Sequence, residues 1–396
     1  MAKKSKEYFP AKIKVVGIGG AGNNAISRMA KHFPRSIDFI AINTDAQDLN
    51  HTQAKRKINI GKNLTKGLGT GMNPDLGRQA AEENRSEISE ALKGADMIFI
   101  TAGEGGGTGS GAAPIVAEAA KELGILTIAI VTKPFSFEGA QRSRIAQEGI
   151  IKLRDRVDTL ITIPNDRIFS LINKDTSLLR AFEEIDDVLK NAVQGITELI
   201  MSPGIINVDF ADVKTIMQEA GSAIIGIGIA SGPERAAAAA NLAINSPLLE
   251  TSIDGAKGIL FSISGRRDLK MSEINEVAKL VSENVDQSAK IIFGAYQDWK
   301  LSKGQLKVTL IAAGFSGSLN NKNNILLPNF FSSQSSKEDS HTSLGEAEAE
   351  ENKENLGQKT ISDGSSEEPK KKDGIEKKKS EDVWDIPTFL RKRRRR

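Results

Sequence analysis

The chain of 396 residues is 39% apolar and carries 54 Lys and Arg against 51 Asp and Glu, a net charge of +3. Its length predicts two domains plus additional sequence; the near balance of charge and the two Trp and two Tyr exclude a basic, aromatic-studded nucleic-acid surface, so no nucleic acid is expected as a partner. Cysteine is absent and the only histidines are His32, His51 and His341, which excludes disulfides and thiolate chemistry and argues against a multi-histidine metal centre.

In chain order, residues 13–16 read as a short strand running into Gly17-Ile18-Gly19-Gly20-Ala21-Gly22-Asn23-Asn24, with a helix expected from about Ala25 to Lys31. Gly17, Gly19 and Gly22 form a G-x-G-x-x-G, by itself a weak dinucleotide signal. A strand over 37–43 leads to Asp45, which stands where a ribose-binding acid would. A further strand is expected at 55–60, a glycine- and lysine-rich loop over 61–71, and one helix over 74–92. The apolar run 96–100 reads as a strand. After it comes Gly103-Glu104-Gly105-Gly106-Gly107-Thr108-Gly109-Ser110-Gly111, then a helix over 112–120 with Pro114 in its first turn. A flexible linker does not sit between a buried strand and an alanine-rich helix. Glycines that let the backbone approach a ligand, at a positive helix end, make a phosphate cradle instead.

An all-apolar strand over 126–131 suits a sheet covered on both faces. It leads to Pro134-Phe135-Ser136-Phe137-Glu138-Gly139, with Arg142 and Arg144 on the next helix. Glu138 and Arg142 are spaced for an i,i+4 ion pair; their place at the carboxyl end of a parallel strand makes a ligand role as plausible. A strand over 157–163 completes the series. One helix over 177–202, roughly 38 Å long at 1.5 Å per residue, reaches from one domain to the next, with Phe182 and Asp186 a turn apart near its start. Pro203-Gly204 stops it. Asn207-Val208-Asp209-Phe210-Ala211-Asp212 follows, in which Asp209 and Asp212 read as an N-cap and a first-turn carboxylate. A second α/β region has strands expected at 223–230, 258–263, 291–295 and 306–312 and helices at 234–244 and 272–281. Its two closing strands favour an antiparallel element. The fold class is therefore α/β: an N-terminal doubly wound parallel-sheet domain, a long connecting helix and a smaller C-terminal α/β domain.

Residues 320–380, rich in Ser, Asn, Glu and Lys, read as a disordered linker. Trp384-Asp385-Ile386-Pro387-Thr388-Phe389-Leu390 then offers apolar anchors before Arg391, Lys392, Arg393, Arg394, Arg395 and Arg396, a short partner-binding peptide with a basic end suited to an acidic surface. No apolar run approaches the roughly 20 residues of a membrane span. The basic start lacks an apolar signal core, so a cytoplasmic protein is expected. The divisions expected are 1–11, a flexible start; 12–176, the nucleotide domain; 177–202, the connecting helix; 203–316, the second domain; 317–380, the linker; and 381–396, the terminal peptide.

The run Gly105-Gly106-Gly107-Thr108-Gly109-Ser110-Gly111 is the signature of the tubulin superfamily. Together with the turn from Gly19 to Asn24, Phe135-Ser136-Phe137-Glu138-Gly139-Ala140-Gln141-Arg142 and the stretch from Asn207 to Asp212, it closely resembles the FtsZ family of bacterial cell-division GTPases. The resemblance covers about Lys12 to Phe315 and the terminal peptide. It implies that Gly20, Ala21, Gly22, Asn23 and Asn24, with Gly107, Thr108 and Gly109, hold the phosphates of GTP or GDP, and that Glu138 and Arg142 lie at the ribose. Phe182 would stack near guanine, and Asp186 would accept from its N1–H and exocyclic amine. Asn165 and Arg167 are further base or subunit contacts. Asp209, Asp212 and Asn207 would act in trans on the GTP of the next copy in a head-to-tail filament, with Mg2+ held mainly by the phosphates. The peptide from Asp385 to Arg391 would dock on a membrane-anchoring division protein such as FtsA. Other division regulators are further partners implied, and the basic residues from Arg391 to Arg396 would add weak attraction to anionic lipid. The resemblance places the protein in the cytoplasm, in the division ring at the septum on the inner face of the membrane.

Two departures stand out. Glu104 stands where the resembled family usually has an apolar residue such as Met or Leu, and a carboxylate beside a polyphosphate is unfavourable unless it points away or meets a cation. Glu184-Ile185-Asp186-Asp187 differs from the commoner small-Asn-Asp pattern before the base contact. Two alternatives remain: a Rossmann oxidoreductase, against which the second glycine loop speaks, and a non-hydrolysing GTP-binding filament protein, against which Asp209 and Asp212 speak.

Overall fold

The computed structural model describes residues 11–34, 36–170, 172, 175–201 and 204–315. The chain divides into two units, 1–320 and 321–396; the expected linker and terminal peptide lie outside the described residues. The first half alternates strand and helix: β1 (Ile13–Ile18), α1 (Gly19–Met29), β2 (Asp38–Asn43), α2 (Ala46–His51), β3 (Arg56–Asn59), α3 (Lys62–Thr65), α4 (Pro74–Glu83), α5 (Arg85–Leu92), β4 (Met97–Gly103), α6 (Gly107–Glu122), β5 (Leu126–Lys133), α7 (Ala140–Arg154) and β6 (Thr159–Pro164). After it come α8 (Leu178–Met201), α9 (Phe210–Met217), β7 (Gly221–Ser231), α10 (Arg235–Ile244), β8 (Gly258–Gly265), α11 (Met271–Glu283), β9 (Lys290–Gln297) and β10 (Gln305–Ala313).

The strands form a single sheet in the order β3-β2-β1-β4-β5-β6-β7-β10-β8-β9. From β3 to β6 every pairing is parallel, as right-handed crossovers through helices require. Alternation along β4 shows why both faces are covered: Met97 and Phe99 enter one apolar cluster with α1 and α8, while Ile98, Ile100 and Ala102 enter another with α4, α5 and α6. Period-two side chains buried on both faces make an all-apolar strand. The β6–β7 ladder is short, from Thr159↔Gly221 to Ile161↔Ala223, and it joins the two halves. Among the described residues no helix is long and apolar enough to cross a membrane.

The antiparallel element lies where the sequence placed it, but with other partners. β10 inserts between β7 and β8, antiparallel to both, while β9 runs parallel to β8 at the edge. Helix α8 buries Ile185, Leu189, Val193 and Ile196 in the cluster that also holds Val15 and Phe99 of the first half and Leu260 and Ile311 of the second. It therefore packs on both halves of the sheet.

Three boundaries differ from the sequence expectation, each for a local reason. Helices α1 and α6 begin inside the glycine stretches, at Gly19 and Gly107, not after them. Pro114 consequently sits two turns into α6 rather than in its first turn; lacking an N–H, it leaves the Ser110 carbonyl without the usual i+4 partner. The segment 74–92 is two helices broken at Asn84, whose backbone leaves helical geometry and whose side chain accepts from the Gly61 N–H at 2.9 Å.

Candidate functional site

β1 and β4 are neighbours, and the strand order runs outward from them in opposite directions, through β2 on one side and β5 on the other. This is the switch point at which a doubly wound sheet opens a crevice beyond the carboxyl ends of its strands. Both glycine turns fall there. Gly19, at φ +69°, lies so close to the second turn that a Cβ would stand 3.1 Å from the Gly109 amide nitrogen. At Gly22 a Cβ would be 2.4 Å from the Thr101 carbonyl oxygen, which no real Cβ contact reaches. The two turns close on one another because neither has side chains. Two helix N-termini, α1 and α6, then open at one place, with their first amides free of intrahelical partners and at the positive ends of their dipoles.

The polar side chains around these turns are unevenly satisfied. Asn23 is fully buried, and among the described residues neither its Oδ1 nor its Nδ2 has a hydrogen-bond partner; Thr101 Oγ1 is likewise unpartnered there. Buried polar atoms without partners are rare and costly in folded proteins. Their position at the glycine turns fits a polar ligand. Gly20, Ala21 and Asn24 reach the surface, Gly22 does not. The Thr108 hydroxyl is held by Thr44 Oγ1 at 2.7 Å and Thr70 Oγ1 at 3.3 Å. No local sequence signal marks Thr44 or Thr70, and sequence reasoning missed both.

Next to the cradle, the turn after β5 places Glu138 in a single 3-10 turn. One carboxylate oxygen accepts from the Phe135 N–H and the other pairs with Arg142 Nη1, both at 2.9 Å. The ion pair expected from spacing is present, and a carboxylate keeps acceptor capacity beyond two bonds. Phe182 packs edge-on against Phe135 at 5.7 Å between ring centroids. Asp186 is largely buried and paired with Arg28 Nε at 2.9 Å. Burial pushes its carboxyl up to about 7; Arg28 pulls against that, and Asp187 and Glu183 add to it. Arg28 escaped sequence reasoning because the pair spans α1 and α8. Asn165 is buried with an unpartnered Oδ1, whereas Arg167 is exposed.

Asp45 is not arranged as a ribose acid. Its Oδ1 caps α2 by accepting from the Gln47 and Asp48 N–H groups at 2.9 and 3.0 Å. The acidic turn of residues 207–212 lies elsewhere. Asp209 Oδ1 accepts from the Asp212 N–H at 2.8 Å and Asp212 Oδ2 from the Asp209 N–H at 3.3 Å, a capping box at the start of α9. Asn207 Oδ1 accepts from the Gly204 N–H at 2.7 Å. From Phe182 to Met201, α8 rises through nineteen residue steps, roughly 28 Å of helix, and the acidic turn lies past that far end. One chain brings the cradle, Glu138, Arg142, Phe182 and Asp186 to one region, and does not bring Asn207, Asp209 and Asp212 to it.

Paired glycine turns at the switch point of a doubly wound sheet define a nucleotide-binding α/β protein. A model of the tubulin/FtsZ family GTPase domain matches residues 12–173, and one of the FtsZ family C-terminal domain matches residues 221–316. Among solved structures, the FtsZ dimer of M. jannaschii, described as empty, is 48% identical, with a TM-score of 0.75 over 78% of this chain and 90% of that one. A mutant of FtsZ from M. jannaschii is also 48% identical, with a TM-score of 0.74 over 77% of this chain and 92% of that one. CetZ2 from Haloferax volcanii, in a GTPgS-bound protofilament, shares the fold at 22% identity and a TM-score of 0.65, over 76% of this chain and 92% of that one. The chain belongs to the FtsZ family of tubulin-like GTPases, a family that binds GTP and GDP.

Proposed function

We propose that the protein assembles head to tail into filaments and hydrolyses GTP where one copy meets the next, and that these filaments form the division ring at the septum. The observation that carries this reading is the separation of the two halves of the chemistry. The glycine cradle and its flanking Glu138, Arg142, Phe182 and Asp186 lie at one place, and exposed Asp209 with Asn207 and Asp212 lies past the far end of α8. A second copy stacked on the first supplies what one copy lacks. Such a contact uses two different surfaces, so it propagates instead of closing. The M. jannaschii relative was solved as a dimer, which supports self-association in this family.

In this reading the amides of Gly20, Ala21, Gly22 and of Gly107, Thr108 and Gly109 hold the phosphates, and Asn23 and Asn24 add side-chain contacts. Glu138 and Arg142 hold the ribose, and Phe182, Asp186 and Asn165 hold the base. Asp209 and Asp212 of the neighbouring copy orient the attacking water, and Asn207 supports the γ-phosphate end. Bound together with the nucleotide, Mg2+ would supply neutralising charge at the phosphates. The terminal peptide from Asp385 to Arg391 docks on a membrane anchor of the FtsA kind, with the basic end drawn to anionic lipid on the cytoplasmic face of the membrane.

Sedimentation with GTP, GDP and a non-hydrolysable GTP analogue, followed in parallel with phosphate release, tests the proposal. Turnover per molecule is expected to rise steeply above a threshold protein concentration at which polymer first sediments. Turnover per molecule that stays constant across that range would show a self-sufficient site and refute the shared one.

A further inference from the structure

Glu104 is the charged residue of the phosphate loop, and the structure shows where it goes. Its N–H donates to the Thr132 carbonyl at 2.9 Å, keeping the chain in register with β5 as it leaves β4. The side chain turns into the contact between α6 and α7. There it faces Gly149, where a Cβ would stand 2.3 Å from Glu104 Oε2 and 2.9 Å from Ser110 Cβ. Any residue larger than glycine at 149 would displace the carboxyl. The group is buried, and neither of its oxygens makes a hydrogen bond of good geometry. Ser110, one turn into α6, has its hydroxyl engaged by the Gly105 N–H at 2.9 Å.

Among the described residues no cation pairs with this carboxyl from the elements around it. On α7, Arg142 pairs with Glu138 and Arg144 with Glu148. On β5, Lys133 pairs with Glu250, and on α6 Glu118 meets Arg85 and Arg156. Lys121 and Lys152 are exposed to solvent. Burial accordingly pushes the Glu104 carboxyl up to about 7, the Ser110 hydroxyl offsetting this only in part. A buried carboxyl without a partner favours its neutral form, and negative charge nearby favours that form further.

We infer that Glu104 is a proton-linked positioning residue of the phosphate loop: its neutral form is the one compatible with a polyphosphate in the cradle, so nucleotide binding takes up a proton. The inference rests on the proposed reading of residues 103–111 as the phosphate cradle. Gly105, Ser110 and Gly149 are its fittings, since Ser110 ties the loop amide next to Glu104 and Gly149 makes room for an uncharged carboxyl between two helices. For the protein alone the sign is fixed. A carboxyl whose folded value lies above its unfolded value favours folding in full below the unfolded one, and that contribution is lost as pH rises from about 4.5 through about 7. For binding the same linkage makes affinity fall as pH rises above about 7.

Calorimetry of GDP and GTP binding to the full chain, in two buffers of different ionisation enthalpy, counts the protons exchanged. Between pH 7.5 and 8.5 the phosphates, with a second pKa of about 6, are already ionised. Asp186, if it accepts from guanine, has its charged form favoured and releases protons, the opposite sign. The wild-type chain is expected to take up protons in this window, and its affinity to fall from pH 6 to 8.5 by about tenfold for each unit by which the nucleotide raises the carboxyl. Glu104→Gln and Glu104→Leu are expected to show no uptake and no such fall. Absence of uptake by the wild type, or equal uptake by the variants, overturns the inference; the wild-type count decides it alone if neither variant folds. If no guanine nucleotide binds anywhere between pH 6 and 8.5, the nucleotide-site reading itself fails, and this inference with it.

Discussion

The glycine cradle and the acidic turn at residues 207–212 are built on opposite plans. Around the cradle, Asn23, Thr101, Glu104 and Asn165 are buried with polar atoms that make no hydrogen bond of good geometry among the described residues. In the acidic turn, Asp209, Asp212 and Asn207 satisfy one another or the adjacent backbone and face solvent. Unsatisfied buried polar atoms are tolerated where a ligand or proton completes them. A self-capped turn is stable without a ligand and can be presented to another molecule as it stands. In the proposed assembly the cradle would look inward to a bound molecule and the turn outward to another copy.

The sharpest way to break this contrast is to neutralise the turn without uncapping it. Asp209→Asn and Asp212→Asn retain side-chain oxygens that cap α9 as well as the acids do. Assembly-linked phosphate release is expected to fall about 10²- to 10⁴-fold, the range for loss of a positioned acid–base group, while thermal stability and GTP binding hold. Unchanged turnover per sedimented subunit would remove the turn from the chemistry. A second variant attacks the cradle. Gly22→Ala forces a methyl against the Thr101 carbonyl, which a Cβ would approach to 2.4 Å, and is expected to cost about 1–3 kcal/mol of overpacking strain and to abolish tight GTP binding. Retention of wild-type nucleotide affinity in a folded Gly22→Ala protein would mean that the turns do not hold phosphate. The smallest effect is one of selectivity. Asp186→Asn exchanges an acceptor pair for an amide that suits the carbonyl xanthine carries in place of guanine's amine. A preference shift of about 1.5–3 kcal/mol from guanine toward xanthine nucleotides is expected, the worth of hydrogen bonds to a charged group. Competition binding with both bases measures it, and an unaltered preference for guanine would move base recognition away from Asp186.

Much of the fold is legible in the sequence because its determinants are local. Apolar runs without alternation, such as 97–100, mark strands buried on both faces. The apolar positions of α8 recur at helical spacing, and the capping box of Asp209 and Asp212 is written within four residues. The sequence pattern places the starts of α1 and α6 after their glycines, whereas the helices begin at Gly19 and Gly107, because glycine is a poor helix former and only the packed turns hold it there. The pairing of β10 with β7 and β8 was also not legible, since strand partners are chosen by contacts across the sheet and not along the chain.

The candidate site divides in the same way. Its glycines, Glu138 with Arg142, and the pair Phe182 and Asp186 are each visible as motifs. Thr44 and Thr70 on the Thr108 hydroxyl, and Arg28 on Asp186, are not, because each comes from a distant segment. Glu104 shows the difference most clearly. By itself the sequence determined that a carboxyl stands in the second glycine loop and that its charge would oppose a phosphate held there. Only the tertiary structure decided that this carboxyl turns between α6 and α7, against the one glycine that leaves it room. The energy of a buried charge depends on everything around it, and neighbours in space are set by packing, not by spacing in the chain.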